Sequence, residues 1–405
     1  MVTMRLTRLT GAAAAVLLAV GVLAEPAAGT GRTAPQDTTS RWIVTLHAGD
    51  PDVVAADHRR RLGTGVDHVY RHALRGYSAT MTAQQARQVA SDPNVAAMVP
   101  DTPVHTTAQS VPAGISRTGG DRSSARSGDG KGSVDADIAI IDTGIDPKHP
   151  DLDVVGGTNC ISGGLSSADL NGHGTHVAGT AAAKDNGVGV VGVAPGARLW
   201  AVRVLDANGS GLFSSIICGI DWVTARASTI EVANMSLGGV APEGSCTDGA
   251  LHQAICRSVA AGVTYTVAAG NSASDAATFV PASFDEVITV SATADFDGLP
   301  GGLGAPTCAL GVDDVFASFS NYGPDVDLTA PGVCVLSTFR GRDYRALSGT
   351  SMASPHVAGA AALYRSSHPS ATPAQVKAAL LAAGTRDWTG DPDQIQEPMV
   401  NVAVF

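Results

Sequence analysis

Five apolar runs, Asp137 to Ile141, Arg198 to Leu205, Ile230 to Leu237, Val263 to Ala268 and Val287 to Ala292, recur through the middle of this chain with helix-like segments between them. Strands of a parallel sheet are buried on both faces and read as near-continuous apolar stretches, and the crossover between two of them is usually a helix. The alternation predicts an α/β domain in which helices cover a mostly parallel sheet. With 405 residues, only 16% of them charged, the sequence is long enough for one large well-buried domain of this kind and a smaller one.

Open sheets of this type build their sites at the carboxyl ends of the strands. The first run ends there in Asp142-Thr143-Gly144. Farther on, Gly172-His173-Gly174-Thr175-His176 sets an imidazole between glycines at the head of a small-residue helix, and histidine is the base whose ordinary pKa lies closest to neutral. Later, Gly349-Thr350-Ser351-Met352-Ala353-Ser354-Pro355-His356 opens an alanine-rich apolar run. Its spacing puts Ser351 at a helix N-terminus, with a proline tolerated in the first turn. Free N–H groups and the positive end of the helix dipole suit an oxygen that must become a nucleophile. An Asp, a His and a Ser, each on a glycine-marked turn, form the constellation that acyl transfer requires. Ser351 attacks, His173 takes and returns the proton, and Asp142 holds the imidazole.

In this order the three motifs resemble those of the subtilisin-like serine proteases, and the resemblance covers nearly all of the chain after its first segment. It implies a three-layer subtilisin-like fold with a mostly parallel central sheet over residues 108–405 and the activity of a serine endopeptidase. It places a side-chain oxyanion donor at Asn271, in Ala268-Ala269-Gly270-Asn271, beside the backbone N–H of Ser351. It pairs the substrate as an added strand with Ser236-Leu237-Gly238-Gly239, where glycines admit a close backbone. The pocket for the residue before the scissile bond then lies between that segment and Ala268, Ala269 and Gly270, with Phe279 at its floor. These residues are neutral and favour apolar or aromatic side chains. The resemblance also implies a structural calcium ion held by Gln109, Asp151, Lys184, Asn186, Val188 and Val190, and oxygen ligands on a glycine-bearing turn suit that ion. No organic cofactor is implied.

The chain opens with the order of a secretory signal peptide, with Arg5 and Arg8 before an apolar run from Gly11 to Ala24 and small residues after it. Residues 1–28 are read as that signal and 29–40 as a polar linker. The apolar run is too short to span a bilayer, so an exported protein with no membrane anchor is expected. Residues 41–107 form a second unit: a strand Trp42 to Leu46, a helix from Asp50-Pro51 through Arg61 and an extended stretch Val66 to Met81. A helix follows, begun by a Thr82 to Gln85 capping box, and then a strand Val95 to Val99. That order suits a small α+β ferredoxin-like domain. It resembles the inhibitor propeptide of the same protease family, which implies a chain made as a self-inhibited zymogen that cuts itself near Thr107 and Ala108. Five of the eleven histidines, His47, His58, His68, His72 and His105, lie in this unit and are expected at its solvated surface, where protonation would loosen the inhibitor.

The formal net charge is −11, and the acids are concentrated after residue 107, which argues against nucleic acid as a partner. The expected partners are protein or peptide substrates and the chain's own prosegment, acting on a monomer. All six cysteines also lie after residue 107, and an even number in an exported protein implies disulfides. Fifteen connectivities are open, and the expected one joins Cys160 with Cys218, Cys246 with Cys256, and Cys308 with Cys334. Two other functions use some of the same residues. A metal-dependent hydrolase would use His173 and His176 as ligands, but no glutamate stands at the HExxH spacing. A catalytically silent binding protein would need a broken triad, and every member is in place. The irregular segment Thr118 to Ser133, where relatives carry a surface helix, leaves the local path before Asp142 open.

Overall fold

Residues 39–101, 109–161 and 164–405 are described in a computed structural model, and they divide into two units on either side of residues 102–108. The expected signal peptide, nearly all of the linker, and the expected cleavage point lie outside the described residues.

In the smaller unit, strands β1 (Thr39–Leu46), β2 (Gly65–Tyr70), β3 (Gly76–Thr82) and β4 (Val95–Pro100) form one antiparallel sheet in the order β2-β3-β1-β4. Helix α1 (Pro51–Leu62) follows β1 and helix α2 (Ala83–Ala90) follows β3, which is the ferredoxin-like order. Asp50 caps α1 with Pro51 in its first turn, and Thr82 and Gln85 form a complete capping box on α2, so both helices begin where the sequence places them. Tyr77, Ala79 and Met81 of β3 pack on Val44, Val54 and Val89. One expectation fails here. His58 is fully buried instead of solvated: its Nδ1 shares a hydrogen bond with the Tyr77 hydroxyl at 2.5 Å, and its Nε2 meets Asp92 at 3.0 Å. On α1 it falls on the stripe that carries Val54 and Ala55, one turn away, so helical geometry turns it inward.

The larger unit has a seven-stranded parallel sheet of β5 (Asp137–Asp142), β6 (Val154–Asn159), β7 (Arg198–Arg203), β8 (Val232–Met235), β10 (Thr264–Ala268), β12 (Ile288–Thr293) and β13 (Leu328–Pro331), in the order β13-β12-β10-β8-β5-β7-β6. The five apolar runs are its five inner strands. Of the two edges, β6 carries paired glycines and β13 has only four residues and ends in a proline, so no apolar run marks them. Side chains alternate along each strand and divide the core in two. Ile138 and Ile140 face α4 (His173–Ala182), α7 (Thr350–Ser367) and α8 (Pro373–Ala383), while Ala139 and Ile141 face α5 (Phe213–Thr224) and α6 (Ala250–Ala260). A short pair, β9 (Gly239–Val240) with β11 (Phe279–Val280), and a hairpin, β14 (Val335–Phe339) with β15 (Asp343–Leu347), complete the strands. The three disulfides join Cys160 to Cys218, Cys246 to Cys256 and Cys308 to Cys334, the expected connectivity. No helix among the described residues is long and apolar enough to cross a membrane.

The segment from Thr118 to Ser133 carries only a three-residue 3-10 turn at Gly120–Arg122. Its irregular backbone is pinned instead by side chains: the Asp185 carboxylate accepts from the N–H groups of Gly128 and Gly130 at 2.9 and 3.0 Å, and Ser127 donates to the Gly192 carbonyl. Just before it, at the end of helix α3 (Ala113–Arg117), the Arg117 guanidinium is almost wholly buried. It meets Asp314 at 2.9 Å, Asp295 at 3.0 Å and Asp387 at 2.8 Å, which lie on segments far apart in sequence. A buried cation shared among three carboxylates cannot be deleted without leaving unpaired charge. Arg117→Met should therefore destabilise the larger unit by about 3–5 kcal/mol, read as the shift in urea midpoint of the enzyme after covalent inhibition. A change within half of one kcal/mol, about the scatter of ordinary surface substitutions, would mean that the three carboxylates do not depend on it.

Candidate active site

Asp142 is the last residue of β5 and fully buried, so its carboxylate stands at the carboxyl end of a central strand, as the sequence implies. Both of its oxygens lie within hydrogen-bond reach of His173 Nδ1, at 2.8 and 2.9 Å. The imidazole keeps 27% of its side chain exposed, enough for its other edge to meet a substrate. Burial alone would lower the His173 pKa. The charge of Asp142 and its hydrogen bond outweigh that, and the net shift is upward.

His173 begins α4 and is aimed by a carboxylate that sequence reading missed. Asp169, buried ahead of the helix, accepts from the N–H groups of Asn171 and Gly172 at 2.8 Å each and from Thr175 N–H at 3.0 Å. It also accepts from the hydroxyls of Thr143 and Thr175. Thr143 in turn accepts from Gly174 N–H, so the residue after Asp142 and the residue after His173 are tied together. Gly174 is required here for close approach, because a Cβ on it would stand 2.1 Å from the Gly144 carbonyl oxygen. The signal for Asp169 was weak, an Asp four residues before a histidine. Its role follows from unpaired N–H groups at a helix start.

Ser351 is the second residue of α7, with no intrahelical acceptor for its N–H. Its hydroxyl donates to the Ser236 carbonyl at 3.2 Å, and no hydrogen bond joins it to His173 in this arrangement. Pro355 has no N–H, so the Ser351 carbonyl loses the donor that an unbroken helix would supply. The Ser236 hydroxyl takes that place at 2.8 Å. Ser236 is itself held by Asn234 Nδ2 at 2.9 Å, and the Asn234 oxygen accepts from Thr266 at 3.0 Å and Ser354 at 2.8 Å. Two strands and the serine helix thus share one buried polar network, none of which the motifs announced.

Asn271 lies beside the start of α7. Its Oδ1 accepts from the Thr350 N–H at 2.8 Å and from the Thr350 hydroxyl at 3.1 Å, which commits the oxygen and leaves the amide N–H₂ to face away from them. The expected pocket residues are brought together by Phe279. A Cβ on Gly238 would meet its ring at 2.5 Å, and one on Gly270 would meet it at 3.1 Å. The ring therefore lies close against both glycines. The cleft in front of His173 has a volume of 630 Å³ and runs along Ser236, Leu237, Gly238 and Gly239 to Phe213 and Ile216. Its far wall is Gly209-Ser210-Gly211, a glycine-rich turn after β7 that sequence reading passed over. Ala268, Ala269 and Gly270 do not line it.

The residues expected to hold calcium also converge. The Gln109 amide nitrogen donates to the carbonyls of Lys184 and Val190 at 3.0 and 3.2 Å, and its oxygen accepts from Gly187 N–H at 2.7 Å. Buried Asp151 accepts from Asn186 Nδ2 at 2.9 Å and Val190 N–H at 3.0 Å, and burial raises its pKa. Val188, exposed at the tip of the turn, donates its N–H to Asn186. Carbonyl, amide and carboxylate oxygens from the turn, Gln109 and Asp151 gathered in one place fit a hard divalent cation. His176 is buried with its Nε2 placed between the carbonyls of Val335 and Arg345 at 3.0 and 2.9 Å, and burial lowers its pKa to about 4. It fastens the β14-β15 hairpin to α4, and that same Nε2–H cannot also bind a metal.

A model of the subtilase family matches residues 134–397, and a model of the peptidase inhibitor I9 family matches residues 28–107. Subtilisin DY of Bacillus licheniformis is 42% identical over 73% of this chain and 98% of its own length. Subtilisin E of Bacillus subtilis (strain 168) is 40% identical over 80% and 79%. The thermostable alkaline protease of Halalkalibacterium halodurans is 42% identical over 78% of each chain. Among solved structures, a cold adapted subtilisin-like serine proteinase superposes with a TM-score of 0.54 at 35% identity, covering 66% of this chain and 88% of that one.

The network beneath Ser351 makes a specific claim on Ser236. Ser236→Ala keeps the carbonyl that faces Ser351 but leaves the carbonyl of Ser351 and the amide of Asn234 without their shared partner. The expected cost is about 1–3 kcal/mol, measured as the urea midpoint of the covalently inhibited protein. An unchanged midpoint would mean that a water replaces the hydroxyl and that the network is not a brace.

Proposed function

The chain belongs to the subtilase family, a serine endopeptidase with an inhibitor I9 region ahead of its catalytic unit, and on that premise we propose that Asp142, His173, Ser351 and Asn271 carry out the hydrolysis. The observation that carries this reading is the buried Asp142 carboxylate held against His173, in a cleft also lined by Ser236, whose carbonyl receives the Ser351 hydroxyl. For the reaction, the Ser351 hydroxyl leaves the Ser236 carbonyl and gives its proton to His173 Nε2 as its oxygen adds to the substrate carbonyl. Asp142 stabilises the imidazolium that forms. The Asn271 N–H₂ and the Ser351 N–H receive the oxyanion, and losing one such donor typically costs about 100- to 1000-fold in rate. Collapse expels the amine with the proton from His173, and water then releases the acid by the same steps in reverse roles.

The Ser236 carbonyl, once free of the hydroxyl, is positioned to accept an N–H from a substrate laid along Ser236 to Gly239 as an added strand. The residue before the scissile bond is apolar in this reading. The Phe279 ring between the glycine walls limits its size, which narrows the expected aromatic preference toward smaller side chains. Calcium would be held by the side chains of Gln109, Asp151 and Asn186 and the carbonyls of Lys184, Val188 and Val190. When bound, it would tie the start of the catalytic unit to that turn. The remaining features belong to the same proposal: export by a signal at residues 1–28, a linker at 29–40, an inhibitory prosegment at 41–107, self-cleavage near Thr107 and Ala108, and a monomeric mature enzyme of residues 108–405.

Secreting the wild type and Ser351→Ala side by side tests nucleophile and self-processing together. The wild type should begin near Ala108 and the variant should keep its prosegment, by intact mass and N-terminal sequence. If both mature alike, self-cleavage is wrong. The pH profile tests the base. His173 must be neutral to accept the proton, so kcat/KM should fall as pH drops through a pKa above that of an ordinary histidine. Asp142→Asn removes the main cause that raises that pKa, leaving only the charge of Asp169 against the burial that lowers it, so the acidic limb should move to lower pH while kcat drops by about 10,000-fold. A limb that does not move would assign it to another group.

A further inference from the structure

Asparagine is followed by glycine three times in this chain, at Asn171-Gly172, Asn186-Gly187 and Asn208-Gly209. The pair is reactive because glycine has no Cβ, so its backbone nitrogen can swing onto the side-chain carbon of the residue before it. That nitrogen gives up its proton and bonds to Cγ, the Cγ–Nδ2 bond breaks, and the amide nitrogen leaves as ammonia. Water then opens the succinimide at one carbonyl or the other, giving aspartate or isoaspartate. In a folded chain the step requires that the asparagine amide be free to turn and that the next N–H be able to leave its partner.

Two of the three pairs are locked. Asn171 uses both ends of its amide, donating to the Ala207 carbonyl at 3.1 Å and accepting from His173 N–H at 3.1 Å, and the N–H of buried Gly172 donates to Asp169 at 2.8 Å. Asn186 donates to Asp151 at 2.9 Å and accepts from Val188 N–H at 2.9 Å, while Gly187 N–H donates to Gln109 at 2.7 Å. Asn186 is exposed, so commitment separates the cases and exposure alone does not. Asn208 stands on the exposed turn from Asp206 to Ser210, after β7. Asp206 holds that turn by its backbone, accepting from the N–H groups of Asn208 and Ser210 at 2.8 and 3.0 Å. The Asn208 side chain has one partner among the described residues, the same Asp206 carboxylate, and its Oδ1 accepts no hydrogen bond from them. Gly209 N–H donates to the Asp206 carbonyl at 3.1 Å, a longer bond than its counterparts and one open to water, which lets it part readily. A Cβ on Gly209 would meet nothing nearer than Asn171 Nδ2, at 3.7 Å, so the five-membered ring has room to form.

We propose that Asn208 is a deamidation site and that its conversion sets a carboxylate into the wall of the substrate cleft. Asn208 lines that cleft, and none of the residues that line it is Asp, Glu, Lys or Arg. The change therefore turns a wall without a fixed charge into an anionic one, which favours peptides that bring a cationic side chain against it and disfavours acidic ones. Isoaspartate would also lengthen the turn by one backbone carbon, next to the Ala207 carbonyl that anchors Asn171 two residues ahead of His173. The effect on cleavage rests on the active-site reading above, and the chemistry at Asn208 does not.

The secreted protein, inhibited with a sulfonyl fluoride, is aged at mildly alkaline pH, digested under acidic conditions and mapped by mass spectrometry. The peptide that carries Asn208 should gain the mass of one deamidation, divided between aspartyl and isoaspartyl forms. Asn171 and Asn186 should convert more slowly by about 10-fold or more. In urea all three should convert at similar rates, since only the fold separates them. Asn208 converting no faster than the other two in the native protein overturns the proposal. The charge is tested with fresh Asn208→Asp and Asn208→Gln on peptides that carry lysine or glutamate at one position ahead of the scissile residue. At low salt the kcat/KM ratio, lysine over glutamate, should be higher in Asn208→Asp by about 4-fold or more at the position that meets the turn, and the gain should shrink as salt is added. Equal ratios in the two variants at every position overturn the placing of the charge in the cleft. The mapping needs no activity, so a wild type that cleaves no peptide would count against the active-site reading and leave the order of conversion to decide this one.

Discussion

The Ser351 carbonyl that Pro355 frees in the first turn of α7 sets the terms for the whole cleft. An unbroken helix would have used it internally. Here it is met by Ser236, at the end of a strand whose Asn234 also binds Thr266 and Ser354. A helix packed on a sheet by apolar contact alone can slide by fractions of an ångström at little cost. A satisfied polar network allows one register, because a half-made network is worse than none. Ser351 and the strand edge that faces it are thereby fixed relative to each other, and the backbone carbonyl of Ser236 is left where the serine hydroxyl reaches it.

Most of the architecture was legible before any coordinates. Buried parallel strands have to be apolar throughout, and the five that are buried on both faces, together with the residues at their carboxyl ends, stood out for that reason. Asp142 and His173 were legible because the chemistry restricts the residue type and the turn restricts its neighbours. The capping residues Asp50, Thr82 and Gln85 were legible because a helix start has a fixed number of unpaired donors. The disulfide pairing came out as expected, although spacing alone does not determine it.

What escaped reading was whatever depends on the third dimension without a local signature. Edge strand β6 is paired on one side only and needs no apolar run, and β13, though buried, is only four residues long and too short to show one. Asp169 serves His173 through five donors on residues up to 26 positions away, and nothing in its own neighbours in sequence distinguishes it from a surface aspartate. His58 was misplaced because a histidine is usually wet, and only the tyrosine on the facing strand makes its burial tolerable. Phe279 was expected at the floor of a pocket, and the structure sets its ring against both Gly238 and Gly270. The sequence says that an aromatic ring is near two glycines, and only the structure says that the glycines are what allow the ring to lie between them.

The ties among the termini of the larger unit have a consequence in time. Every strand pairing of the smaller unit lies between Thr39 and Pro100, so its sheet is complete once that stretch has left the ribosome. In the larger unit, Val402 N–H donates to Thr118, Ser124 N–H to Phe405, and Thr329 exchanges backbone hydrogen bonds with Pro398 and Val400. Contacts of such span form only when both ends exist, which makes them slow and late. A nascent chain interrupted after Ser351 would carry Asp142, His173, Asn271 and Ser351 and still lack the clamps that close its fold. The clamps at Val402 and Phe405 are therefore among the last contacts of the larger unit to become available as the chain is made.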